Sequence, residues 1–418
     1  MRALGRPFAG LTGRRAVGVL LCGLLVSGCS AAGAGGGDEG SQGADEPAGA
    51  SATTEAPKPE TVVTVNVDDG ASDVPVDTAI NVGASGGSIT AVTAHYGKKA
   101  SPKNTVEGDL TPDGSAWVAQ GLLEPGKRYT VAVSTRDDDG NVETATRTFR
   151  TQELGLDQQA YASIAPMDGA TVGVAMPIIV RFDIPVSRRA EVEKRLAVTS
   201  TPKVEGTWSW ISDSEVHYRP KKYWPAGTKV KVHAGINGVR TAKGTWGQED
   251  RDTSFSITDR AVTTVVDVSR HKATVRINGK VAKVLPATTG KAGFQTRNGT
   301  KVIMEKYPSK RMDAATTGIS EGDSEYYNIE NVRYAMRVTN SGEFIHAAPW
   351  SVGSQGAANV SHGCTGLSTS NAEWLYSVSH IGDPVKFVNS QRKVLEPQNG
   401  WTDWNVSYAK FAQGSALS

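Results

Sequence analysis

Ser361-His362-Gly363-Cys364 places a thiol two residues after one imidazole, and a second, His346, lies eighteen residues upstream of the thiol. The chain has three cysteines, and the other two, Cys22 and Cys29, fall in an N-terminal leader. Cys364 therefore has no partner for an intramolecular disulfide, and a leftover thiol in an exported chain needs another explanation. A cysteine beside a histidine is the raw material of a nucleophile with its general base. An ordinary thiol is only a few per cent ionised at neutral pH, so a base or a positive neighbour must raise its thiolate fraction. Gly363 frees the backbone just before the thiol, so that the N–H groups of Gly363, Cys364 and Thr365 can converge on a tetrahedral oxyanion.

Duller chemistry competes poorly. A buried structural cysteine would act as a small hydrophobe, but it would not need His346 and His362 beside it. A zinc site built from His346, His362 and Cys364 lacks a further ligand at a usual spacing, so no metal and no cofactor is expected. Papain-like peptidases place cysteine before histidine, the reverse of this order. Sortase-type enzymes need a later arginine, and only Arg392 follows Cys364.

The elements that must position these groups read as β-structure. Short alternating apolar runs are broken by Gly, Pro, Asp and Asn, and Gly alone numbers 46. From Asp259 onward, Val265–Ser269 and Ala273–Ile277 form a hairpin, and Asn278-Gly279 makes a tight turn of the I′ class into Val281–Leu285. Further strands are expected at Lys301–Tyr307, Tyr334–Thr339 and Phe344–Ala347. A helix follows at Ser370–His380, capped by Ser368 or Ser370. Upstream, Asp69-Gly70-Ala71 recurs as Asp168-Gly169-Ala170, and Pro125-Gly126 is echoed by Pro225-Ala226-Gly227. A repeat of about 100 residues built from short strands fits two tandem immunoglobulin-like sandwiches, 61–152 and 153–258. Trp208, Trp210, Trp224 and Trp246 read as core or interdomain anchors, with a carbohydrate-stacking surface as the sharper alternative.

At the N-terminus, Arg2, Arg6, Arg14 and Arg15 precede an apolar run from Ala16 to Val26. About eleven residues are too few to span a bilayer, which needs roughly 20, so the run is a signal-peptide core. Leu25-Val26-Ser27-Gly28-Cys29 resembles the lipobox of bacterial lipoproteins. That resemblance implies cleavage after residue 28 and lipid attachment at Cys29, whose two acyl anchors give durable membrane attachment. Residues 29–60 are a flexible Ala/Gly/Ser/Asp/Glu tether. Lys plus Arg (45) nearly balances Asp plus Glu (43), so charge gives no signal for nucleic acid.

The flanks of the thiol and the second histidine carry a family resemblance. His346 with Ala347-Ala348-Pro349-Trp350-Ser351-Val352, and Ser361-His362-Gly363-Cys364, resemble the L,D-transpeptidase family with its YkuD-type catalytic domain. Asn298-Gly299-Thr300 and Ile303–Tyr307 resemble a second landmark. The whole chain resembles the actinobacterial lipoprotein form of that family. It implies two immunoglobulin-like domains, a β-rich catalytic domain at 259–390 with a short helix, and a tail at 391–418, bearing Trp401 and Trp404, that packs on the catalytic domain.

The resemblance further implies that Cys364 attacks the diaminopimelate carbonyl of a peptidoglycan tetrapeptide stem and releases D-alanine. His346 takes the thiol proton and then delivers the diaminopimelate amine of a neighbouring stem, giving a 3→3 cross-link. The carbonyl of Ala347 would orient the imidazole, and His362 would support the loop. Ser341, Gly342, Trp350 and Ser361 would contact substrate, under a lid at 310–333 whose tyrosine is Tyr327 or its neighbour Tyr326. Carbapenem β-lactams would acylate Cys364, and the enzyme would work at the outer face of the cytoplasmic membrane, reaching into the wall. In one departure, Gly366 stands where the family usually has Asn or Arg. That leaves open a non-catalytic wall-binding lipoprotein, or a carboxypeptidase if water is the acceptor.

Overall fold

The computed structural model describes residues 60–418; the leader, Cys29 and the tether up to residue 59 lie outside the described residues. Among the described residues no helix is long and apolar enough to cross a membrane.

The chain is mainly β. In the first stretch, one sheet joins Val62–Val65, Asn81–Ser85, Ala116–Ala119 and Gly108–Leu110, and the other joins Thr105–Val106, Ser88–Tyr96, Arg128–Arg136 and Val142–Arg150. Alternation along Arg128–Arg136 sends Tyr129, Val131 and Val133 inward with Trp117 and Phe149. The second stretch has two four-stranded sheets within 162–257 and a small three-stranded one. Its core holds Trp208, Trp210 and Trp224, and these with Trp246 are 2–9% exposed. Burial at this level removes the carbohydrate-stacking alternative for the four tryptophans. The sequence repeat is a structural one. Gly70 donates to Thr148 O while Asp69 accepts from Thr148 N, and Gly169 donates to Ser254 O while Asp168 accepts from Ser254 N. Both glycines have positive φ, +75° and +74°, which is the conformation this turn requires.

The third stretch, which the resemblance marks as catalytic, has two sheets. The six-stranded sheet runs β3-β2-β1-β9-β4-β10, with β1 Val262–Asp267, β2 Lys272–Ile277, β3 Lys280–Pro286, β4 Arg297–Val302, β9 Pro384–Val388 and β10 Arg392–Val394. The four-stranded sheet runs β5-β6-β7-β8, with β5 Glu305–Asp313, β6 Asn328–Arg337, β7 Phe344–Ala347 and β8 Thr365–Leu367. The strand expected at Lys301–Tyr307 is two strands, because the chain leaves one sheet at Ile303 and enters the other at Glu305. Helix α1, Thr369–Val378, starts at Ser368, whose side chain accepts from Asn371 N, and buries Ala372, Leu375 and Val378. Asn278 and Gly279 take φ +51° and +80°, as a I′ turn demands.

The C-terminal tail does more than pack on the catalytic stretch. Asn405 exchanges hydrogen bonds with Thr300 N and O, at 2.7 and 2.9 Å. On the other side, Trp404 Nε1 donates to Ala175 O, and Arg219 lies over the Trp404 and Phe411 rings. Asp403 accepts from buried His217, which also meets Glu215 at 2.6 Å. The tail thus bolts the second immunoglobulin-like sandwich to the catalytic stretch. Burial pulls the His217 imidazole down, but Asp403 and Glu215 overcome it and hold it up at about 9 against an ordinary 6.5. A raised folded pKa contributes stability that is complete below about 6.5 and lost as pH rises through about 9. The protein spanning residues 60–418 should therefore melt at a lower temperature at pH 10 than at pH 6, and Asp403→Asn should shrink that difference. Equal differences in variant and wild type would overturn the assignment.

Candidate active site

Parallel pairing of β7 with β8 sets Ile345 beside Thr365 and His346 beside Gly366. Continuing that register places Cys364 beside Phe344. The thiol and the His346 imidazole are thus one diagonal step apart on the same face of the sheet, since side chains alternate with period two. Both line a cavity of about 290 Å³ together with Thr288, Met312, Tyr327, Trp350 and His362.

His346 is buried, and its Nδ1 lies 2.8 Å from Ala347 O. A carbonyl can only accept, so Nδ1 carries the proton and Nε2 keeps its lone pair, the tautomer a base requires. Burial lowers the His346 pKa below 6.5, opposed by the Ala347 carbonyl, so the imidazole is neutral at pH 7. Burial also pushes the Cys364 thiol up to about 11, opposed by the Phe344 amide. The resting pair is therefore neutral thiol and neutral imidazole. The thiol donates to Gly342 O at 3.6 Å, and Phe344 N donates to Sγ at 3.4 Å. Among the described residues no hydrogen bond joins Sγ to His346; catalytic contacts often tighten only with substrate bound.

The loop before the thiol is held at several points. Ser361 Oγ donates to Cys364 O at 2.6 Å and accepts from Gly363 N at 3.1 Å. Thr296 Oγ1 donates to Gly363 O at 2.7 Å. Gly363 has φ +124°, which a side chain would strain. With its amide committed to Ser361, Gly363 is not available to an oxyanion; that role falls to the Cys364 amide first.

Of the remaining candidates, Tyr327 rather than Tyr326 lines the cavity, with its ring 5.0 Å from that of His362. Trp350 is 56% exposed at the mouth and stacks on His346 at 5.9 Å. Gly342 lines a second cavity of about 380 Å³, with Lys310, Arg311 and Arg337, that also reaches Cys364 and shares Met312 and Tyr327 with the first. Ser341 instead faces the tail, its backbone N and Oγ both bonded to Asn399. Gly366 lines the first cavity, and the site has no room for a larger residue there. A Cβ would come within 2.9 Å of Thr288 Cγ2 and 3.0 Å of the Ala348 methyl. The departure at 366 is thus a matched feature of this core.

Residues 310–333 form the β5–β6 hairpin, whose tip covers the cavity. On it, Glu325 receives Lys291 Nζ at 2.5 Å and faces His362 Nε2 at 2.7 Å. Sequence reading missed this latch, since its members lie on three separate segments. Glu325→Gln should ease opening of the tip and raise acylation by a β-lactam about two- to fivefold, a modest effect because partly exposed ion pairs are weak. Stopped-flow acylation rates check it; a slower variant would count against a latch.

The fold and the site together define a cysteine acyltransferase set behind immunoglobulin-like modules. The family model described as the L,D-transpeptidase catalytic domain matches residues 261–387, and one described as a bacterial Ig domain matches 71–240. The chain is 36% identical over 354 residues to L,D-transpeptidase 2 of Mycobacterium tuberculosis (strain CDC 1551 / Oshkosh), covering 85% of each. It is 37% identical to L,D-transpeptidase 5 of M. tuberculosis (strain ATCC 25618 / H37Rv), covering 69% of this chain and 63% of that one. A solved structure of the transpeptidase LdtMt1 in complex with imipenem covers 55% of this chain and 99% of its own, at 37% identity and TM-score 0.48. The chain belongs to the L,D-transpeptidase family. It is an L,D-transpeptidase, an enzyme of the acyltransferase type.

Proposed function

We propose that the enzyme forms 3→3 cross-links between diaminopimelate residues of peptidoglycan stems through a thioester on Cys364. The observation that carries this is the neutral His346, its Nδ1–H tied to Ala347 O, beside Cys364 in one cavity. Sγ attacks the carbonyl carbon of the third residue of a donor tetrapeptide while its proton passes to His346 Nε2. The Cys364 amide steadies the oxyanion, a contribution of roughly 3 kcal/mol or more to the barrier. The C–N bond to D-alanine then breaks, and the imidazolium returns the proton to the leaving amine. Deprotonation of a second stem's side-chain amine by His346 lets it attack the thioester carbonyl, expelling the thiolate, which is reprotonated.

Access from two cavities meeting at Cys364 suits a reaction with separate donor and acceptor. Carbapenems would enter as donor mimics, the ring carbonyl taking the place of the scissile amide. The Cys29 lipobox supports anchoring at the outer face of the cytoplasmic membrane, which fractionation of cells tests; recovery in the soluble fraction would count against it. Incubation with purified disaccharide-tetrapeptides, followed by mass spectrometry, tests the reaction. Dimers with loss of D-alanine are expected. Tripeptides alone would make water the acceptor, and unchanged substrate would favour a wall-binding role.

A further inference from the structure

A charged pair sits behind the nucleophile and takes no part in the chemistry above. Lys301 on β4 is wholly buried, and Glu343, just before β7, is 5% exposed. The Lys301 ammonium bonds Glu343 Oε2 and lies 3.8 Å over the Phe387 ring. Glu343 Oε1 accepts from the Arg297 amide at 3.2 Å and its guanidinium at 3.1 Å. Neither Lys301 nor Glu343 lines either cavity.

Stability alone explains such a pair poorly. Desolvating two charges costs about what their attraction returns, and apolar residues of similar size often do as well. Position suggests another role. The two peptide groups that touch Sγ, the Gly342 carbonyl and the Phe344 amide, flank Glu343 on either side. Glu343 also lies near the thiol loop, its Cγ 3.6 Å from where a Cβ on Gly363 would be. Anchoring this one side chain therefore fixes both contacts to the sulfur. Charge adds a second effect. Arg297, Lys301, Glu343 and Glu396 together balance, so removing either member of the Lys301–Glu343 pair alone leaves a net charge near the thiol, negative without Lys301 and positive without Glu343.

We infer that Glu343 and Lys301 are positioning residues for Cys364, holding the backbone groups that receive Sγ and setting the charge balance beneath it. The inference rests on Cys364 as the nucleophile. Other titratable groups facing the thiol or its loop, His346 on β7, Arg337 on β6, Tyr327 on the lid and His362 on the loop, are left unchanged by the test.

The test uses the protein spanning residues 60–418 with two readouts: the pH dependence of alkylation by iodoacetamide, which reports the thiol pKa, and the rate of acylation by a carbapenem. Glu343→Gln should lower the thiol pKa and Lys301→Met should raise it, each by roughly half to one unit. Both should acylate about tenfold more slowly at matched thiol ionisation, because the anchor is lost. The Lys301→Met/Glu343→Gln double variant buries neither charge of the pair. It should keep a thiol pKa near that of the wild type while acylating as slowly as the single variants. Shifts of the two single variants in the same direction, or none, would overturn the inference. So would wild-type acylation by the double variant, or its failure to fold, either of which would assign the pair to the fold alone. If a single variant does not fold, the double variant decides. A wild type that alkylates but is never acylated would instead count against the acyl-transfer reading.

Discussion

Replacing Cys364 with alanine should abolish covalent capture of a carbapenem and leave the fold intact. The protein from residue 60 onward holds one cysteine, so intact-mass spectrometry is unambiguous. Wild type should gain the mass of the drug, and the alanine variant should gain nothing, a loss on the order of 10⁴-fold or more in acylation. Without Sγ no thioester can form, and the Cys364 amide and the cavity walls can only bind. Stability should change little, because the thiol's two partners, Gly342 O and Phe344 N, border a cavity that water can enter. An adduct persisting in the variant would move the nucleophile elsewhere.

The second large effect is expected at His346. Its Nδ1–H is tied to Ala347 O and its pKa is held below 6.5 by burial, so it is a free base at neutral pH. Acylation should rise with pH through a value below the ordinary 6.5 and stay level across neutrality, where the thiol, pushed up to about 11, is still protonated. His346→Gln should lower acylation about 10²- to 10³-fold and erase the acidic limb, because the general base set beside Sγ is then lost. The rate should recover at high pH as the thiol ionises without help. A variant that keeps the acidic limb would make another group the base, with His362, which lines the same cavity, the first candidate.

The two variants separate nucleophile from base, and the outcome at Gly366 bears on both. The absence of the usual Asn or Arg raised the prospect of a degenerate site. Thr288 Cγ2 and the Ala348 methyl fill the space that such a side chain would need. Reduced room for a bracing residue is matched by other braces on the loop, namely Thr296 on Gly363 O and Ser361 on Cys364 O.

Much of this protein is determined by sequence alone because the signals are local. Alternating apolar residues set strands such as Arg128–Arg136, Asn278-Gly279 sets its own turn, and Ser368 caps the helix it precedes. Asp69-Gly70 and Asp168-Gly169 mark the same turn twice, since a carboxylate and a glycine of positive φ suffice to build it. The family resemblance added candidate site residues, most of which gather around Cys364, although Ser341 turns to the tail. What the tertiary structure decided depends on contacts between distant segments. The burial of the four tryptophans follows from sheet packing, and the choice of Tyr327 over Tyr326 follows from how the lid hairpin lies. Glu325 meets Lys291 and His362, Glu343 meets Lys301, and Asp403 meets His217 only after separate strands and loops have been brought together. No local pattern announces such pairs, because each charged residue taken by itself reads as one more solvated surface group.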